Sequence, residues 1–517
     1  MKEINPNKAS DIYKIKPVMI KDLEPMLTPI LTSLFNKAID ENEYPDPLKL
    51  TKVIEIYKAK NKTIPANYRP ISLLPIIAKI LDTIINEQLM THLLKHNILS
   101  RTQYAFRPDS NTTLALQAII GDIQKHITKH KPVLGIYIDL SKAYDTIEHE
   151  KLLHKLENEF NFTPETLRFF RTYFKNRQQS THTQHAQSET KTITHGIPQG
   201  STLSTTFFLL YVNNIIETVP ASKVFTYADD TTLVITAMSV RELQLLAQSE
   251  LSDLINYFHD NNLVPNATKT NFTVFHPVTK HQQIQLKIND TFIEHNTDAK
   301  LLGVYVQDNL KNHRTITNII RKLQPTIFNF RRATKLLPTK YMRNEYFTHI
   351  YPHLITNISI WGTSNPAKTY IQPLIRLQKK IVRILKNVPP GTHTKPLMTE
   401  LGLLNITNLY ILRVAAEMHP HIYPKQETNR PDHFHNYISV AQIHEHATRQ
   451  SLKRQHYIPN TNQYSASYIP DETRNHFTDE FTAIWNTLPL EIRAMNVLTV
   501  FKKSLNQYLL KQQSQQP

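Results

Sequence analysis

Cysteine is absent from all 517 residues, which excludes disulfides, thiolate zinc sites and cysteine nucleophiles together. Glycine is nearly as scarce, with 8 in the chain, so the few that occur mark places where a turn or a close backbone approach is needed. Long apolar runs are missing as well. The longest, Phe207 to Val212, falls far short of the roughly 18–20 residues of a spanning helix. Met1 to Ser10 has no apolar core, so no signal peptide is expected. These absences predict an intracellular chain with no membrane partner. Acidic residues are also outnumbered, 43 against 60 Lys and Arg, for a net charge of +17. That balance favours a polyanionic partner, nucleic acid before membrane. A content of 40% hydrophobic and 20% charged residues describes a globular chain of several domains.

The charge is concentrated. Residues 307–390 hold 15 Lys and Arg against only Asp308 and Glu345. Helical periodicity runs through the same stretch: Ile319, Ile320, Leu323, Ile327 and Phe330 form one apolar face, and Ile371, Leu374, Ile375, Gln378 and Val382 another. Amphipathic helices with basic outer faces suit a sugar-phosphate backbone. Arg321, Lys322, Arg331, Arg332, Lys379, Lys380 and Arg383 are the candidate nucleic-acid-binding residues.

Upstream the pattern is mixed. Helices are expected over Ile76–Asn97, Leu114–Lys129, Ser201–Thr218 and Val240–Asp260. Buried strands are expected over Val133–Leu140 and Val224–Thr236, a polar hairpin over Gln179–His195, and further strands over Thr270–Phe275, Ile284–Ile288 and Lys300–Val306. Residues 419–456 hold seven histidines, but without cysteine and with His444 and His446 only two apart, the pattern argues against zinc. The Gln-rich end, Lys511 to Pro517, is expected to fray.

Two acidic positions fall in strand-like apolar settings, a costly placement unless the carboxylates are paired or bind a cation. Asp139 follows Leu134-Gly135-Ile136-Tyr137-Ile138, and Asp229-Asp230 lie between Phe225-Thr226-Tyr227-Ala228 and Leu233-Val234-Ile235. A strand ending in one carboxylate, beside a hairpin whose turn carries two more, can bring all three within reach of two divalent ions. Such hard oxygen ligands suit Mg²⁺ or Mn²⁺ and phosphoryl transfer. Taken singly, each is more often a turn or cap residue. His195-Gly196-Ile197-Pro198-Gln199-Gly200-Ser201 joins the polar hairpin to a helix. Gly200 allows close approach there and Ser201 or Thr202 can cap, a fitting wall for a nucleotide and template base. Asp145 and Glu148 are spaced as a capping box. Tyr144, five past Asp139, would floor a nucleotide pocket built on that strand.

Asn67-Tyr-Arg-Pro-Ile-Ser-Leu-Leu74, Gln103-Tyr-Ala-Phe-Arg107, Asp139-Leu-Ser-Lys-Ala-Tyr-Asp-Thr146, Gly196-Ile-Pro-Gln-Gly-Ser201, Tyr227-Ala-Asp-Asp230, Asn266 with Lys269-Thr270, and Leu302-Gly-Val304 occur in that order. From about residue 45 to the C-terminus the chain resembles the reverse transcriptase of a non-LTR, LINE-type retrotransposon of the jockey-like kind. The resemblance implies a mixed α/β (α+β) right-hand polymerase. It would run as an N-terminal helical segment (1–44), fingers with part of the palm (45–132), palm (133–306), basic helical thumb (307–390) and a mostly helical C-terminal region (391–517).

It implies further that Asp139, Asp229 and Asp230 are catalytic and hold two Mg²⁺ ions, with the Leu140 carbonyl as another ligand and Mn²⁺ as a substitute. Lys269 matches the lysine placed to protonate the leaving pyrophosphate. Lys58, Arg69, Tyr144, Gln199 and Gly200 match nucleotide-contacting positions, Tyr144 as the steric gate, and Arg107 matches the template side. Ala105, Tyr144 and Ser204-Thr205-Thr206 depart from the residues the family more often carries. Partners would be an RNA template, a DNA primer, dNTPs and an endonuclease missing from this chain, with action in the nucleus. The alternatives are an inactive nucleic-acid-binding relic and an RNA-dependent RNA polymerase, the latter disfavoured by a bulky Tyr144.

Overall fold

The computed structural model describes residues 1, 4–58, 61–183, 185–275, 284–423 and 476–515. The first helices are α1 (Pro17–Asp22) and α2 (Glu24–Asp40). β1 (Leu50–Tyr57) and β2 (Tyr68–Leu73) then pair antiparallel, Lys52 opposite Leu73 and Tyr57 opposite Tyr68. α3 (Ile76–Lys95) begins where the Asp11 carboxylate accepts the Ile76 N–H at 2.9 Å. That anion sits at the favourable end of the helix and ties the N-terminal segment down. α4 (Thr112–Thr128) is capped by Asn111, which accepts from the N–H groups of Thr113 and Leu114.

β3 (Val133–Ile138) is buried at every position. After it come β4 (Leu140–Ser141), α5 (His149–Asn158) and α6 (Pro164–Phe174). β5 (Gln178–His182) lies parallel to β1, and β6 (Lys191–Thr192) returns antiparallel to β5, so the polar hairpin extends the first sheet in the order β2-β1-β5-β6. α7 (Thr202–Tyr211) stops short of the expected Thr218, and Asn213–Glu217 form a 3-10 turn. There Asn213 gives its amide to Ile98 O and takes the Ser100 N–H, a side-chain alternative to continuing the helix.

β7 (Lys223–Tyr227) and β8 (Asp230–Thr236) divide the run at 224–236 into the hairpin expected around the acidic pair, and α8 (Val240–Asp260) has the expected bounds. β9 (Val264–Pro265) pairs with β4, and β10 (Asn271–Phe275) with β3. Of the strand expected at 284–288, only β11 (Lys287–Ile288) forms, pairing with β12 (Thr291–Phe292) ahead of β13 (Glu294–His295). The strand expected at 300–306 is instead a hairpin, β14 (Asp298–Leu301) and β15 (Val304–Gln307). Leu302 and Gly303, at φ 44° and 92°, reverse the chain between them.

The central sheet runs β13-β10-β3-β8-β7. Alternation along a strand sends successive side chains to opposite faces, and here both faces are covered, so the strands read as unbroken apolar runs. Leu134, Ile136, Ile138, Leu233 and Ile235 join one core with α3, α5, α6, α7 and α8. Val133, Tyr137, Phe225 and Val234 join a second with α4, β14, β15 and the helices that follow.

Those helices are α9 (His313–Ala333), α10 (Thr339–His349), α11 (Tyr351–Ile355), α12 (Ile358–Trp361), α13 (Gln372–Leu385), α14 (Thr394–Leu401) and α15 (Ile406–Ile422). They continue as α16 (His476–Thr487), α17 (Leu490–Arg493) and α18 (Leu498–Gln515). The apolar faces on α9 and α13 turn inward as the periodicity predicts: Ile319, Leu323, Ile327, Phe330, Leu374 and Val382 are buried. Of the clustered histidines, His419 is a core residue bonded to Met495 O at 2.7 Å. His433, His435, His444, His446 and His456 lie outside the described residues.

The C-terminal end does not fray before Gln515. Gln513 is buried, accepts the Asn405 N–H at 2.9 Å and donates to Leu403 O at 3.2 Å, which fixes α18 against the turn between α14 and α15. Gln513→Ala leaves both backbone groups without this partner, and the expected cost is about 1–3 kcal/mol. Urea unfolding of the variant reads it; an unchanged midpoint would show that the tail is not structural.

Candidate active site

Strand register decides where the acidic residues go. The pairing of β3 with β8 ends where Ile138 faces Thr231, so Asp139 and Asp230 are the next residues at that end, close enough for their charges to interact. β7 pairs with β8 so that Tyr227 faces Asp230, which leaves Ala228 and Asp229 as the turn. Ala228 has φ 56°, a left-handed conformation costing an L side chain roughly 1–2 kcal/mol. Such strain persists where the surrounding pairing over-determines the backbone. Three carboxylates thus collect at one end of the sheet.

Asp139 has a second tether. β4 and β9 pair Leu140 with Pro265, and the Asn266 N–H donates to Asp139 O at 2.8 Å. Asn266 O in turn accepts from the N–H groups of Lys269 and Thr270. This tight turn delivers Lys269, whose Nζ lies 2.8 Å from Asp139 Oδ2. Asp229 and Asp230 stand at the exposed rim. The Asp230 carboxyl is nonetheless crowded: desolvation, then the negative charges of Asp229 and Asp139, push its pKa up to about 6, while Lys58 pulls it down. Like charges held together in this way are relieved by a proton or by a cation.

The donor set of carboxylates with the Leu140 carbonyl beside them is that of a hard divalent ion. Among the described residues no three His, Asp or Glu side chains close on a single cation position. The Asp139 carboxylate is turned to Lys269, whose ammonium supplies the neutralising charge.

Around the carboxylates the walls are specific. Tyr144 stacks on Phe208 with ring centroids 4.8 Å apart and an 11° interplanar angle. Its hydroxyl is buried without a hydrogen-bond partner, and burial followed by the Asp229 charge pushes its pKa well up. The loop before α7 is clamped from two sides. Gln199 O accepts the Ser72 N–H at 2.8 Å, and a Cβ on Gly200 would lie 2.5 Å from Ser72 O, where Gly200 has φ 140°.

Ser201 does not cap α7. Its hydroxyl donates to Asp82 Oδ2 at 2.5 Å, and Tyr44 donates to Asp82 Oδ1 at 2.9 Å. Burial pushes the Asp82 carboxyl up, and the buried Arg177 guanidinium, 4.2 Å from the Tyr173 ring centroid, pulls it back. Nor do Asp145 and Glu148 form a capping box, since no side chain caps α5. Asp145 accepts Gln199 Nε2 at 3.0 Å, and Glu148 accepts Asn262 Nδ2 at 2.7 Å. Sequence reasoning missed Asp82, Tyr44, Ser72 and Arg177; a lone carboxylate beside the apolar stripe of α3 was the available signal for Asp82.

The remaining candidates divide. Lys58, at the end of β1, is close enough to Asp230 to favour its charge. Arg69 sits opposite Ile56 with its side chain exposed. Arg107 turns its guanidinium onto the carbonyls of Ser100 and Gln103. Arg321, Lys322, Arg331, Arg332, Lys379 and Lys380 are exposed on α9 and α13, apart from the carboxylates, while Arg383 is half-buried and donates to Thr392 O at 2.8 Å.

A raised Asp230 pKa fixes the sign of a stability test. In the absence of divalent ions the fold loses stability as pH rises from about 4 to above 6, because Asp230 must ionise in a crowded site. Asp230→Asn removes that cost. Thermal melts are expected to show the variant more stable by about 1 kcal/mol at neutral pH, a figure reduced for solvent screening at the rim. The gap should vanish near pH 4; a gap independent of pH would refute the crowding.

Residues 56–306 match the family model for reverse transcriptase (RNA-dependent DNA polymerase). The RNA-directed DNA polymerase from mobile element jockey of Drosophila melanogaster is 26% identical over 415 residues, 75% of this chain and 44% of that protein. Its counterpart from Drosophila funebris is 23% identical over 82% of this chain and 46% of that protein. The chain therefore spans under half the length of these curated relatives. A solved apo telomerase from Candida tropicalis superposes with TM-score 0.36 and 11% identity over 50% of this chain and 54% of that one, too faint a likeness to carry weight. With the two acidic strand ends and the clamped Gly200 loop inside the matched span, the chain carries a reverse transcriptase domain of the jockey-like, non-LTR retrotransposon kind.

Proposed function

We propose that the chain is an RNA-directed DNA polymerase in which a primer 3′-OH attacks the α-phosphate of a dNTP and pyrophosphate leaves. The observation that carries this is the β3–β8 pairing that ends at Ile138 and Thr231 and so brings Asp139 near Asp230, with Asp229 in the adjoining turn. In this reading the central sheet is the palm, the β1–β2 hairpin the fingers and the helices from α9 onward the thumb. Asp139, Asp229, Asp230 and the Leu140 carbonyl would hold two Mg²⁺ ions, or Mn²⁺. When bound, those ions would lower the pKa of the primer hydroxyl and offset charge on the triphosphate.

The chain's own groups do the rest. Lys269 releases Asp139 and, as an ammonium, donates a proton to the departing pyrophosphate. Lys58 and Arg69 offer cations to the triphosphate, and Gln199 with the Gly200 backbone lines the nucleotide's other side. Tyr144, braced by Phe208, holds its ring where a ribose 2′-OH would clash. Arg107 and the exposed cations of α9 and α13 grip template and primer. An endonuclease would supply the primer end, with action in the nucleus.

Asp139→Asn should lower primer extension on a primed RNA template with dNTPs and Mg²⁺ by roughly a thousandfold, about 4 kcal/mol of barrier. Near-normal extension by that variant would end the assignment. If the unmodified chain binds primed RNA and never extends it, the relic reading replaces it. Tyr144→Ala should raise ribonucleotide use relative to dNTP use, measured as the ratio of kcat/KM values; an unchanged ratio removes the gate.

A further inference from the structure

α10, α15 and α18 enclose a groove of about 480 Å³ that lies wholly outside the span matched to the reverse transcriptase family. Its floor is apolar, with Leu403, Leu409, Leu412 and Ala416, and its wall presents the half-buried rings of Phe347 and Tyr351, 5.2 Å apart between centroids. Four cations line it, Arg343, Arg413, Lys502 and Lys503, each from a helix of this trio. The matching acid is Glu417, which is buried behind the rim, where it takes Arg413 Nε at 2.7 Å and Gln117 Nε2 at 3.1 Å. Arg343 donates Nε to Leu401 O at 2.7 Å and lays its guanidinium 4.8 Å from the Phe347 centroid. Lys502 is held below its ordinary pKa by burial and then by the like charge of Arg413, which outweighs the attraction of Glu417. Four cations thus face one buried acid, and the excess positive charge is adjacent to stacking surfaces.

Cations along a rim with aromatic faces and an apolar floor between them are the chemistry that holds single-stranded nucleic acid: phosphates on the charges, bases in the cleft. We propose that this groove binds the unpaired tail of the RNA template. The proposal rests on the reading of the chain as an RNA-directed polymerase for the choice of RNA, and it gives the C-terminal helices a role in retaining template. An acidic peptide would satisfy the cations but leave the stacking faces idle, and a lipid surface is too flat for a cleft closed on three sides by helices.

The test uses the full chain and the double variant Lys502→Glu, Lys503→Glu, both positions being exposed, with far-UV circular dichroism as the folding control. Anisotropy titrations compare an RNA–DNA primer–template carrying a long oligouridine tail with the same duplex lacking it. The variant should bind the tailed duplex roughly tenfold more weakly, with the slope of log affinity against log salt shallower by about 1.4, and the tail-less duplex as before. Lys502→Arg with Lys503→Arg should restore tailed binding. Unchanged tailed binding, or equal loss on both duplexes, overturns the proposal. So does a larger loss with an oligothymidine DNA tail, or an effect seen with acidic phospholipid vesicles and not with RNA. Binding is read without nucleotide incorporation, so a failure of polymerase activity and a failure of the groove are separate results.

Discussion

Repulsion among Asp139, Asp229 and Asp230 is the constraint around which the centre of this protein is organised. Like charges would separate if the chain let them, and the backbone does not. Asp139 is fixed by a strand buried on both faces, by the β4–β9 pairing and by the Asn266 N–H. Asp229 and Asp230 are fixed by a hairpin tight enough to force Ala228 left-handed. Burial first, and then the neighbouring charges of Asp229 and Asp139, raise the pKa of Asp230, while Lys269 pairs with Asp139. A site of this type has a standing affinity for positive charge before any substrate arrives.

Much of this was legible in the sequence because it depends on local pattern. Six consecutive buried residues before Asp139 read as a strand covered on both faces, and the alternating apolar set on α9 read as a helix face. The misreadings share a different cause. Asp145, Glu148 and Ser201 have the chemistry and spacing of caps, but each spends its side chain on a partner far away in sequence: Gln199, Asn262 and Asp82. A polar side chain's local options can be listed from the sequence, whereas its long-range competitor cannot. The same holds for Gln513, whose partners near residue 404 turn a polar tail into a packed helix. The hairpin at 298–307 was hidden for a simpler reason: Leu302 takes a positive φ that its side chain gives no hint of.

The loop before α7 shows how a second layer of residues defines the first. Gly200 has no room for a Cβ because Ser72 O is already there, and Ser201 is unavailable as a cap because Asp82 holds it. Asp82 is in turn kept tolerable in the interior by Tyr44 and by the nearby Arg177 charge. The loop's shape is thus set from α3 and β2, elements that contribute none of the three central carboxylates.

The double coverage of β3 has one more implication. Val133 and Leu134 are neighbours in the chain, yet they belong to opposite cores, one shared with α3 and α5–α8 and the other with the helices reaching to the C-terminus. The same division runs through β7, β8 and β10, so the central sheet as a whole is the keel between two hulls. The acidic residues thus sit at the end of a partition that both cores press on, so packing on either side bears on their spacing.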